Sequence, residues 1–110
     1  MVDDPIHEVW KRSLLLETAL KECKTRGNAA AETEKVYRVA LAKKILELRE
    51  GGYPATLIGD IARGDETVAN LKFERDSAQV VYDNAQDALL VYRKQIEVLR
   101  DQIEREWKNP

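Results

Sequence analysis

The 110-residue chain has few residues that staple, ligate or interrupt a fold: one cysteine, one histidine, three prolines and five glycines. The lone Cys23 has no second cysteine to pair with, which excludes an internal disulfide and fits a reducing interior. Aromatic residues make up 6% of the chain and charged residues 35%. With Ala, Leu, Glu, Lys and Arg abundant, this is the composition of extended helices and coiled coils, not of a compact α/β core. The formal net charge is −2, with acids and bases mixed along the chain. That balance argues against strong general nucleic-acid binding and equally against an acidic mimic of DNA. No apolar run is long enough to cross a membrane, and Met-Val-Asp-Asp-Pro at the start lacks the basic and apolar regions of a signal peptide. The expected compartment is the cytoplasm, with no membrane partner.

The usual constellations of catalytic chemistry are missing as well. His7 has no convergent partners at ligand spacing, and the acids beside it (Asp3, Asp4, Glu8) read as complements to a helix dipole. Cys23 falls on an apolar seam and reads as core. Glu32, Glu34 and Glu74 resemble the carboxylates of di-metal bundles, but those bundles also carry Glu-x-x-His motifs, and this chain has no second histidine. Gly51-Gly52 is not followed by the Gly-Lys-Ser/Thr of a phosphate loop. No catalytic, metal-binding or cofactor-binding residue is therefore expected, and the chain is not expected to be an enzyme.

What the sequence does contain is helical periodicity. Leu71, Arg75, Ala78, Tyr82, Ala85, Leu89, Tyr92, Ile96, Leu99 and Ile103 recur in steps of four and three, which keeps one seam turned toward a partner helix. No Pro or Gly interrupts that run. The spacing predicts a helix over about 65–107, roughly 65 Å long at 1.5 Å per residue. A first helix is expected over about 5–50. Asp4 is suited to cap it and Pro5 to occupy its first position. Ile6, Val9, Leu16, Leu20 and Cys23 mark its face. Arg26-Gly27-Asn28 allows either a cap and restart or a continuous helix with a local cost at Gly27. The phase of Leu20, Cys23, Gly27, Ala30, Glu34, Tyr37 and Leu41 favours continuity. Small residues at Gly27, Ala29, Ala30 and Ala31 would let another backbone approach closely.

Gly51-Gly52 ends the first helix, and Tyr53-Pro54 should delay a restart. Residues 51–64 form the tip. Within it Thr56–Ala62 is expected to form a short helix capped by Thr56, and Asp65 is expected to cap the second long helix. The expected fold is all-α, a single-domain antiparallel two-helix hairpin of coiled-coil type. Leu14-Leu15-Leu16, Val80-Val81-Tyr82 and Leu89-Leu90-Val91-Tyr92 place apolar residues all round their helices. Such helices need neighbours on most sides. The chain is therefore expected to be its own partner, as a homodimer forming a four-helix bundle.

Two surfaces are candidates for function. The tip offers Tyr53, Leu57, Ile58, Asp60, Ile61 and Arg63, and is longer than a simple turn requires; its apolar residues would either cap the core or meet a partner. A basic face on helix one offers Lys35, Arg38, Lys43, Lys44 and Arg49. It would either follow a phosphate backbone or be a solvated, salt-bridged surface, since Glu34, Glu47 and Glu50 interleave with it. Trp10 and Trp107, near the two chain ends, are expected to pack together at the base of the hairpin.

The stretch Leu-Arg-Glu-Gly-Gly-Tyr-Pro-Ala-Thr-Leu-Ile-Gly-Asp-Ile-Ala-Arg-Gly at 48–64 carries a resemblance. It continues through Val68-Ala69-Asn70-Leu71 and Glu74-Arg75-Asp76-Ser77-Ala78. The sequence resembles small helical proteins of unassigned function encoded by phages and prophages of Gram-positive bacteria. The resemblance covers the second half of the chain and brings no catalytic residues with it. It implies a non-catalytic accessory protein, located in the host cytoplasm, that binds a host or phage protein, for instance by inhibiting a host enzyme or defence factor. The alternatives are a nucleic-acid-binding accessory in phage replication or recombination, and a structural or assembly component.

Overall fold

Asp4 begins the fold as a helix cap. Its carboxylate accepts a hydrogen bond from the Ile6 N–H at 3.1 Å, its carbonyl accepts the first helical bond from Glu8 at 3.0 Å, and Pro5 fills the first position. The computed structural model describes residues 4–108, and the described chain is all-helical: α1 spans Pro5–Glu50, α2 Ala55–Gly64 and α3 Glu66–Lys108. The extents expected for both long helices agree with those observed to within a residue. Helix α1 runs through Gly27 without a break. Thr18 and Thr25 fit inside it because their hydroxyls donate to the carbonyls of Leu14 and Lys21, both at 3.2 Å.

The chain divides into two units. One is Arg26–Tyr82; the other is formed by the chain on either side of it, up to Thr25 and from Asp83 onward. In the Arg26–Tyr82 unit the helices pack antiparallel. Gly27 meets Tyr82, Glu34 pairs with Arg75 at 3.4 Å, and Lys44 pairs with Asp65 at 3.4 Å. Gly27 is where a side chain has least room. A Cβ added there would lie 3.0 Å from the Tyr82 ring, so the absent side chain lets the ring close against the α1 backbone. Ala30 and Tyr37 are buried on the same face.

The seam of α3 is observed as expected: every residue from Leu71 to Ile103 on that seam is buried or half-buried, Leu89 being the deepest at 9% exposure. In the unit containing both chain ends, the α1 face differs from the expectation. Val9, Leu16 and Cys23 are half-buried, but Ile6 and Leu20 are exposed, and Ala19 takes the inward position between Leu16 and Cys23. Steps of three and four both satisfy a helical face, and the packing selects the phase. The expected tryptophan pair is also corrected. Trp10 is 65% exposed and Trp107 86%, so neither buries the other. Trp10 follows the inward Val9 and is turned about 100° away from it.

Candidate interaction surfaces

The tip is built from a sharp helix end. The Gly52 N–H donates to the Arg49 carbonyl at 3.1 Å, and the Tyr53 N–H donates to the Leu48 carbonyl at 3.2 Å. This is the paired bonding of a Schellman stop, and Gly52 adopts the left-handed φ of 79° that it requires. Tyr53 folds back beside Gly51, its ring 3.3 Å from where a Cβ would stand.

The restart is earlier than expected. Helix α2 begins at Ala55, directly after Pro54, and Pro54 caps it through its carbonyl, which accepts the Leu57 N–H at 2.9 Å. Thr56 is therefore inside the helix and not its cap. A proline outside the first turn fixes its own φ without costing the helix a donor. Asp65 does cap α3, accepting the Val68 N–H at 3.1 Å.

The tip residues divide between core and surface. Ile58 and Ala62, four apart on α2, are buried against Leu48, with Leu41 and Ile45 packed beside them. Burial of Ile58 is worth on the order of 2 kcal/mol. It holds α2 against α1 and is not available to a partner. Leu57 and Ile61, also four apart, lie on the neighbouring face and are 50% and 37% exposed; Tyr53 is 50% exposed. Asp60 and Arg63 form an exposed ion pair with each other at 2.9 Å.

The basic residues are less of a set than the sequence suggested. Lys44 turns toward α3 and sits between Asp65 at 3.4 Å and Glu47 at 3.6 Å. The Asp65 carboxylate, and then Glu47, raise its pKa. Asp65 is in turn held below the usual carboxylate range, first by the Val68 N–H bond and also by Lys44. Lys44 is thus a clasp within the hairpin and does not belong to an open basic face. Arg38 is bound to Glu34 at 2.6 Å. Lys35, Lys43 and Arg49 remain exposed.

The acids and other candidate ligands are dispersed. Glu34 is shared between Arg38 and Arg75. His7 is exposed and Cys23 half-buried. Among the described residues no three His, Cys, Asp or Glu side chains are grouped to hold a metal. No described helix is long and apolar enough to cross a membrane.

Sequence reasoning missed the stack of Arg75 over Tyr37, with the guanidinium 4.5 Å from the ring centroid. The signal in the sequence was the lone Arg75 on the otherwise apolar α3 seam, where an aromatic face opposite can attract the cation. Comparison with protein-family models, curated proteins and solved structures finds no match to this chain.

Proposed function

We propose that this chain is a non-catalytic interaction protein that self-associates and offers its tip to a partner protein. The observation that carries the reading is the division of the tip: Ile58 and Ala62 anchor α2, while Leu57 and Ile61 on α2 and the preceding Tyr53 are left at the surface. A rigidly mounted apolar edge loses little entropy on binding, and this favours a docking role over a mere connection. Self-association is supported by the 18 large apolar residues exposed among the described residues, more than a monomer of this size ordinarily leaves uncovered. In this reading the chain is a phage accessory that binds a host or phage protein, as its resemblance implies.

The test compares wild type with Leu57→Asp/Ile61→Asp as bait in lysate of an infected host, with and without nuclease. The expected result is a discrete protein recovered stoichiometrically by wild type and lost with the variant, at unchanged melting temperature. Recovery that disappears with nuclease would instead favour nucleic-acid binding through Lys35, Lys43 and Arg49. Recovery of the bait alone, as higher oligomers, would favour an assembly component.

A further inference from the structure

Helix α1 carries a second stripe, outside its buried face. Ala29, Glu32, Val36, Val39, Lys43 and Leu46 succeed one another at helical spacing, alternating three and four, and all six are exposed. Val36 and Val39 lie roughly 100° and 160° round the helix from the buried Tyr37, and are 41% and 45% exposed; Leu46 is 54% exposed. Among the described residues Glu32 and Lys43 make no ion pair, although the neighbouring Glu34 and Lys44 are both engaged.

The order of residues along this stripe is self-complementary. Consider a second copy laid antiparallel, with a two-fold axis between Val36 and Val39. Val36 then faces Val39 of the partner subunit, and Glu32 faces Lys43 of the partner subunit. Small Ala29 faces the larger Leu46 of the partner subunit. Each pairing occurs twice, as two-fold symmetry requires. A parallel alignment would instead set Glu32 against Glu32 and Lys43 against Lys43. The geometry points to an antiparallel homodimer formed through this α1 stripe, with two reciprocal Glu32–Lys43 ion pairs flanking a valine centre. The occupant of the stripe is a second copy of this chain. The inference rests on the self-association proposed above and adds the face and the direction. It also differs from a closed four-helix bundle, because the contact pairs α1 with α1 and uses no residue of α3.

Charge reversal tests it. Sedimentation equilibrium would be run from about 5 to about 500 µM on wild type, Glu32→Lys, Lys43→Glu and the double variant, with helicity checked by circular dichroism. By symmetry each single reversal replaces two attractions with two repulsions, so the dimer should weaken by at least about tenfold. The double variant restores both attractions and should return to within about threefold of wild type. A wild-type dimer indifferent to the single reversals would overturn the face while leaving self-association standing. Single variants that weaken without rescue would overturn the reciprocal pairing. A wild type that stays monomeric throughout would overturn self-association itself.

Discussion

The guanidinium carbon of Arg75 lies over the ring of Tyr37, 4.5 Å from its centroid, and joins the two long helices through a cation–π contact. Glu34 on α1 at 3.4 Å and Asp76 beside Arg75 at 2.8 Å complete its surroundings. Hydrogen bonding from Arg75, and then from Lys72, holds the Asp76 carboxyl below its ordinary range. Tyr37 is 6% exposed, so the arginine roofs it. Arg75→Ala should lower the melting temperature clearly and Arg75→Lys by a lesser amount, since a lysine keeps the charge but not the planar stack. A double-mutant cycle with Tyr37→Leu measures the coupling, and a coupling of zero would remove the stack from the account.

Acid should loosen the hairpin at the Lys44–Asp65 clasp. Asp65 and Asp76 have folded pKa values below their unfolded ones. Their stabilisation is therefore present above the usual carboxylate range and lost as pH falls through the folded values. Lys44 is shifted the other way, upward, so its contribution is lost only as pH rises past the ordinary lysine range. Urea midpoints should be flat near neutrality and fall in acid. Asp65→Asn keeps an acceptor for the Val68 N–H and should flatten part of the acid slope. An unchanged slope would assign the acid sensitivity elsewhere.

The division of α2 between core and surface gives opposite outcomes for adjacent residues. Ile58→Ala should cost roughly 2–3 kcal/mol through lost burial and the cavity left behind. Leu57→Ser and Ile61→Ser should each stay within about 0.5–1 kcal/mol of wild type. Equal losses at all three positions, measured by urea denaturation, would mean that Leu57 and Ile61 are covered.

Gly27 sets two effects against each other. Alanine there gains about 1 kcal/mol of helix propensity but brings a Cβ to 3.0 Å from the Tyr82 ring. Gly27→Ala should therefore change stability by less than about 1 kcal/mol, because the propensity gain offsets a small ring shift. Gly27→Leu should cost roughly 2 kcal/mol, as overpacking does. A leucine variant as stable as wild type would show that α1 and α3 do not approach closely at this point.

The two long helices, their ends and the seam of α3 were legible in the residues alone, whereas the start of α2 was not. Those features depend on local physics: Asp4 and Asp65 satisfy orphan N–H groups within three residues, Gly52 supplies a left-handed φ, and an uninterrupted repeat holds one phase from Leu71 to Ile103. Packing between helices settled which of several equivalent neighbours turns inward. Ala19 was chosen over Leu20, Ile58 over Leu57 and Ile61, and Lys44 left the basic set to meet Asp65. Adjacent residues on a helix differ by about 100°, and composition alone does not rank them. The choice falls to what stands opposite: Leu48 on α1 for Ile58, and the Asp65 carboxylate for Lys44.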